Sequence, residues 1–251
     1  MSSSTRWLFF DVGNVIYNDD AQAFHSYRFF HRHFQALEET LSFADLMTER
    51  EREAQALPGW VLHRIGKRRL GAARFETLLR DLRQELYRDF DHNHLLNDGV
   101  AEALHALRQT HRLGIIANQP PECRHSLQRR GLLDLFDVVG ISEELDLHKP
   151  NVAFMHWALD QAGCRPADAI MIGDRLDNDI APAKEVGMKA IHFDWGRPSD
   201  KLWQPDDPEA RQYLASLDRV PAFPALTAAH VPDAVVTSWI ELRAAIEHSH
   251  R

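Results

Sequence analysis

Trp7-Leu8-Phe9-Phe10-Asp11-Val12-Gly13-Asn14-Val15 is the stretch from which the fold is read. Its first four residues are continuously apolar and lack helical spacing, which predicts a buried strand. A carboxylate, Asp11, ends the run. The same grammar returns downstream: Leu113 to Ala117 ends at Asn118, and Ala169 to Ile172 ends at Gly173-Asp174. Val138-Val139, Ala190 to Phe193 and Ala234-Val235-Val236 are further short strand candidates.

Amphipathic segments separate these runs. Val100, Leu104 and Leu107 share one helix face, and Phe154, Trp157, Ala158 and Leu159 mark a helix soon after Pro150, where proline is tolerated. Ala181 to Val186 and Trp239 to Ile246 also read as helices. Alternation of this kind predicts an α/β protein with a Rossmann-like parallel sheet and helices on both faces. From about Ala21 to Leu95 the pattern is helical only: Phe24, Tyr27, Phe30 and Phe34 recur at three- and four-residue steps, as do Leu78, Leu79, Leu82 and Leu86. The expected organisation is therefore a core domain of residues 1–18 and 97–251, with a helical domain, 19–96, inserted after the first strand. Residues 197–232 hold six prolines and little apolar periodicity, so an extended surface excursion is expected there, as a lip or a dimer contact.

Composition narrows the function. With 251 residues the chain suffices for one sizeable core plus a smaller subdomain. A net charge of -8 argues against nonspecific nucleic-acid binding, which rests on phosphate neutralisation by Lys and Arg. The one basic cluster, Lys67-Arg68-Arg69, reads first as a solvated helix face and second as a contact for an anionic substrate. No stretch approaches the roughly 18 apolar residues of a membrane span. Two cysteines, Cys123 and Cys164, make no disulfide framework, and Met1 to Arg6 shows no secretory pattern, so a cytoplasmic protein is expected.

The chemistry-bearing residues follow strand candidates, where open parallel sheets bind their ligands. Asp11, Asp174 and Asp179 are hard oxygen donors of the kind Mg²⁺ prefers, leaving positions for water and phosphate. Lys149, placed by Pro150, would add positive charge against the same anion. Other readings stand beside these. Asp174 and Asp179 would also serve as helix N-terminal caps. Asn118 would either contact phosphate or hold the turn after its strand. His31/His33 and His92/His94 are spaced i,i+2, which does not share a helix face, so surface histidines are expected rather than a zinc site. Trp60 and the aromatic run Phe24–Phe34 read as helical-domain core.

Together these residues resemble the four motifs of the haloacid dehalogenase superfamily, subfamily I, whose helical cap follows strand one. The family pattern D-x-D-x-[TV] is here Asp11-Val12-Gly13-Asn14-Val15. The second motif, an apolar strand ending in Thr or Ser, is Ile115-Ile116-Ala117-Asn118. The third is the lysine of His148-Lys149-Pro150, and the fourth, G-D-x4-D, is met by Gly173-Asp174 and Asp179. The resemblance implies Asp11 as the nucleophile of an aspartyl-phosphate mechanism and Lys149 as its catalytic and phosphate-binding partner. It implies Mg²⁺ on Asp11, Asp174, Asp179 and the Gly13 carbonyl, and a small phosphorylated metabolite as substrate, in a monomer or homodimer.

Two positions depart from the pattern. In most of the family the second Asp of motif one protonates the leaving group, a role Gly13 lacks; a positioned acid–base group typically contributes about 10²–10⁴-fold. Ala117 lacks a hydroxyl bond to phosphate worth roughly 1.5–3 kcal/mol. A slow phosphatase, or one restricted to good leaving groups, is expected. Asp19, Asp20, His25 and His148 are the candidates for the missing acid. The alternatives are a noncatalytic binding protein of this fold and, third, a haloacid dehalogenase, which the intact Gly173-Asp174 disfavours.

Overall fold

The computed structural model describes residues 7–57, 59–195, 203–220 and 231–249. The chain divides into two compact units, one of residues 1–18, 96–196 and 224–251, the other of residues 19–95 and 197–223.

The first unit is built on a sheet. Its strands are β1 (Trp7–Phe10), β4 (Arg112–Ala117), β5 (Val138–Ile141), β6 (Ala169–Gly173), β7 (Lys189–Phe193) and β8 (Ala234–Val236); the two-residue strands β2 (Tyr17–Asn18) and β3 (Leu95–Leu96) lie near the passages between units. The six strands are parallel in the order β5-β4-β1-β6-β7-β8. From β1 the chain winds outward through β4 and β5, then returns to the other side of β1 and continues through β6, β7 and β8. The order therefore reverses beside β1, and a crevice opens where such a reversal occurs.

Continuous burial of β1 and β6 explains their uninterrupted apolar sequences, since both faces of the sheet are covered. On one face Phe9, Ile116 and Met171 pack with Phe154, Met155 and Ala158 of the helix Val152–Ala162. Asn151 caps that helix by accepting from the Ala153 N–H at 3.0 Å.

The second unit is helical among its described residues. Helix Asp20–Gln35 buries Phe24, Tyr27, Phe30 and Phe34, the stripe seen in the sequence. Helix Phe43–Ala56 opens with a reciprocal Ser42–Asp45 capping box. Helices Val61–Leu70 and Ala72–Arg88 are joined by a single residue, Gly71, at φ +77°, a left-handed value that only glycine adopts without strain.

The proline-rich stretch differs from its sequence reading. Pro208–Asp218 is an α-helix belonging to the helical unit, not an extended excursion of the core. Proline occupies its first turn, where no N–H is needed, and Asp207 caps it by accepting from Glu209 and Ala210 at 2.8 and 3.3 Å. Tyr213 and Leu214 pack with Phe24, Phe43 and Met47, so this second crossing completes a core that residues 19–95 begin. Arg50 lies 5.9 and 5.8 Å from the rings of Tyr27 and Tyr213 and donates to the Ser216 carbonyl and hydroxyl. Burial pushes the Tyr27 hydroxyl up to about 12, partly opposed by Arg50. The expected lip or dimer contact at 197–202 and 221–230 lies outside the described residues.

Several surface expectations also change in this unit. Arg68 and Arg69 are paired with Glu49, Glu53 and Glu38, and Lys67 with Glu76, so the basic cluster is neutralised within its own unit. His31 and His94 are buried rather than surface residues, each bonded to a backbone carbonyl, of Leu41 and Phe90. Trp60 is the reverse: 67% exposed instead of core, in a left-handed conformation at the start of its helix.

Candidate active site

The register of β1 decides where Asp11 goes. Phe10 lies opposite Ile115 of β4 and Ile172 of β6, and the Asp11 N–H continues that ladder by donating to the Ile172 carbonyl at 2.8 Å. The chain then coils: the Val12 carbonyl accepts from the N–H groups of Val15, Ile16 and Tyr17. Asp11 is thereby held at the carboxyl end of the sheet, with its Oδ1 taking the Val12 N–H at 2.7 Å.

Lys149 arrives from the loop after β5, where helix Ser142–Leu145 is followed by Asp146 in a left-handed turn. Asn118, just past β4, holds it there. The Asn118 side chain donates to the Lys149 carbonyl at 2.8 Å and accepts the Lys149 N–H at 2.9 Å, a two-bond clamp on one residue's backbone. These bonds reach across to the loop that carries Lys149, 31 residues on, rather than closing the turn after β4. The lysine side chain is fully buried, with Nζ 2.9 Å from Asp11 Oδ1 and 2.5 Å from Asp179 Oδ1.

Asp179 sits in the widened turn Leu176–Ile180 after β6. Its Oδ2 accepts the Arg175 N–H at 3.0 Å. A Cβ on Gly173 would fall 2.4 Å from Asp179 Cβ and Cγ, so the strand's last residue must be glycine for the carboxylate to lie across it. Asp174 joins the group: Asp11, Asp174 and Asp179 each offer an oxygen, all within 4.8 Å of one another.

Charge follows from this packing. Burial opposes the Lys149 ammonium, but Asp11 and Asp179 outweigh it and hold the group above the usual lysine range. Burial also pushes Asp179 up to about 6, with Asp11 adding to the rise and Lys149 opposing it. Three carboxylates against one ammonium leave a formal charge of -2 when all are ionised. Nearby Arg175 is engaged bidentately by Asp177 at 3.0 and 2.7 Å. A compact set of hard oxygens with two uncompensated negative charges fits a divalent cation such as Mg²⁺.

The expected site residues of the first unit therefore meet: Asp11, Lys149, Asp174 and Asp179 directly, Asn118 through the lysine backbone. Gly13 and Ala117 are both buried, with no side-chain donor at either place. Among the candidate acids, His25 pairs with Glu85 at 3.0 Å inside the helical unit. His148 is exposed, 4.0 Å from Asp146. Cys164 is half-buried, and burial pushes its thiol up to about 11, opposite to what a nucleophile requires.

Three residues that sequence reading did not single out surround Asp174. Asn14 Nδ2 donates to Asp174 Oδ2 at 3.1 Å, the His192 Nε2–H donates to the Asp174 carbonyl at 2.8 Å, and Trp195 Nε1–H donates to the Asn14 carbonyl at 2.6 Å. Only Asn14 carried a signal, as an Asn in a tight turn after the candidate carboxylate Asp11; its φ of 50° is one Asn tolerates. His192 and Trp195 lie on or past β7, far away in sequence.

Comparison with known proteins points one way. The sequence model described as haloacid dehalogenase-like hydrolase matches residues 9–193. Glyceraldehyde 3-phosphate phosphatase of Methanocaldococcus jannaschii is 39% identical over 74 residues, 30% of this chain and 32% of that protein. Phosphoserine phosphatase of Thermus thermophilus is 31% identical over 129 residues, 51% of this chain and 52% of that protein. The chain thus spans a third to a half of the length of these relatives. A haloacid dehalogenase-like family hydrolase from Streptococcus pneumoniae superposes with a TM-score of 0.64 at 16% identity, covering 97% of this chain and 99% of its own, which bears on the fold alone.

Proposed function

The chain belongs to the haloacid dehalogenase-like hydrolases, and from that premise we propose that it is a Mg²⁺-dependent phosphomonoesterase acting on a small phosphorylated metabolite through an Asp11 phosphoenzyme. One observation carries the proposal. A fully buried Lys149 Nζ bridges Asp11 and Asp179, with Asp174 close by, at the carboxyl ends of the adjacent strands β1 and β6. The relatives named for phosphatase activity support the same class. Residues 19–95 take the place of the family's cap, inserted after β1.

In this reading the Asp11 carboxylate attacks phosphorus, the P–O ester bond breaks, and the leaving oxygen departs with the bonding pair. Water then attacks the acyl phosphate, releasing inorganic phosphate and restoring Asp11. Lys149 sets positive charge beside the incoming anion without a proton change, and Asn118 keeps its backbone in place. Asp11, Asp174, Asp179 and the Gly13 carbonyl would hold Mg²⁺, which would supply the charge that offsets repulsion between a carboxylate and a phosphate dianion.

The step left unassisted is protonation of the leaving oxygen, because position 13 has no side chain. Acyl phosphates and anomeric sugar phosphates expel weak bases and need little protonation, so they should outpace alkyl phosphates. Acetyl phosphate, a sugar 1-phosphate and an alkyl phosphate, each with and without Mg²⁺, test this with wild type and Asp11→Asn. The expected order is acyl, anomeric, alkyl, with D11N inactive on all. Equal rates on acyl and alkyl phosphates would sink the leaving-group argument. Gly13 and Ala117 also favour a second reading, a noncatalytic protein that binds a phosphorylated ligand. No Mg²⁺-dependent turnover on any of the three, with phosphate binding retained, would favour it.

A further inference from the structure

The geometry points to Asn14 as a positioning residue for Asp174, held in place by Trp195; the inference rests on the metal-dependent reading above and extends it to residues that neither ligate nor react.

The contacts form a chain. Trp195 follows the end of β7 and is set by aromatic packing, with ring centroids 4.6 Å from Phe193 and 6.4 Å from Trp239. Trp239 in turn packs on Phe193 at 5.1 Å and on Phe10 at 6.4 Å. The indole is therefore anchored to β7 and, through Trp239, to β1, the strand that leads into Asp11. Its N–H donates to the Asn14 carbonyl at 2.6 Å, and the Asn14 amide donates to Asp174 Oδ2 at 3.1 Å. His192, on β7 itself, donates to the Asp174 carbonyl at 2.8 Å. The β7 strand thus grips the Asp174 backbone directly through His192, and Trp195 just past its end reaches the carboxylate through Asn14.

Asn14 is suited to this by conformation and by charge. At φ 50° it occupies the left-handed region, where Asn and Gly are the residues at ease. Its amide is a neutral donor, so it orients a carboxylate without cancelling the negative charge a cation needs. Partners that orient metal ligands in this way typically account for 10–100-fold in affinity.

The test is Mg²⁺ affinity by isothermal titration calorimetry, with urea unfolding in EDTA as the measure of structure. Asn14→Gly tolerates the left-handed backbone and removes the amide with its side chain; Trp195→Phe keeps an aromatic ring for packing and removes the N–H donor with the five-membered ring. N14G is expected to bind Mg²⁺ about 10-fold more weakly, with little change in metal-free stability. W195F should weaken binding by less, and the double variant should match N14G alone, because the indole acts through the amide. N14G binding Mg²⁺ as tightly as wild type overturns the inference and leaves the metal-dependent reading intact. Additive losses in the double variant overturn the linkage through Asn14. Wild-type protein that takes up no Mg²⁺ overturns the metal-dependent reading and this inference together.

Discussion

Two clusters of charge, one in each unit, put carboxylates and cations to opposite ends. In the helical unit Glu38, Glu49 and Glu53 meet Arg64, Arg68 and Arg69, three against three, with Arg68 about half exposed. In the sheet unit three carboxylates meet one lysine whose side chain has no exposure at all. The first cluster is balanced and opens to solvent at Arg68, with Glu49 itself buried, so every charge has an opposite beside it without a further ion. The second is unbalanced and dry. Its geometry holds carboxylates together at the end of a sheet, against their own repulsion, where only a cation brings them into balance.

The largest expected effect breaks the dry cluster. Lys149→Met leaves Asp11 and Asp179 buried without their cation, and breaking such a pair costs about 3–5 kcal/mol. Urea unfolding in EDTA measures it, and added Mg²⁺ should restore part of the loss. A loss below about 1 kcal/mol would place this cluster in the same class as the balanced one.

Next comes Gly173→Ala, which changes no charge. The new Cβ would sit 2.4 Å from Asp179 and must displace it, at about 1–3 kcal/mol of overpacking, with weaker Mg²⁺ uptake in calorimetry. Unaltered Mg²⁺ affinity would mean that Asp179 can move without consequence.

The smallest effect belongs to the helical unit, and pH separates it from the rest. Burial raises Glu49, but hydrogen bonds from Arg69 and Arg68 outweigh it and hold the carboxyl below its usual range. Its contribution is present above the unfolded value and is lost as pH falls through the folded one. Asp179 has the opposite sign. Raised to about 6, it keeps its proton in the folded state where the unfolded chain has released it, so its ionisation costs stability as pH rises from about 4 through 6. In metal-free urea titrations Glu49→Gln should cost about 1 kcal/mol or less near neutrality, discounted for the exposure of Arg68, and flatten the acid limb. Asp179→Asn should flatten the limb approaching pH 6. Slopes of the same sign in both variants would contradict the contrast.

Much of this arrangement was legible in the residues alone. Continuous apolar runs marked β1, β4 and β6, and carboxylates or amides just past them marked where side chains would gather, because a parallel sheet gathers strand ends at one edge. Phe24, Tyr27, Phe30 and Phe34 announced a helix face by spacing alone. The failures have a shared cause. Pro208 looked like a breaker, yet proline in a first turn with Asp207 before it starts a helix, and Phe24 and Tyr27, nearly 190 residues back, supply the surface that Tyr213 covers. Lys67, Arg68 and Arg69 looked solvated or substrate-facing because Glu38 and Glu49 lie far back in the sequence.

What the sequence determined by itself was local: periodicity, the order of the elements, and the chemical types of Asp11, Lys149, Asp174 and Asp179 in their spacing. Tertiary structure decided who touches whom. The clamp of Asn118 on Lys149 spans 31 residues, the bond from Asn14 to Asp174 spans 160, and that from Trp195 to Asn14 spans 181. Hydrogen bonds and ion pairs act over a few ångströms, so contacts of this kind leave no periodic trace in a chain and exist only once the strands lie side by side.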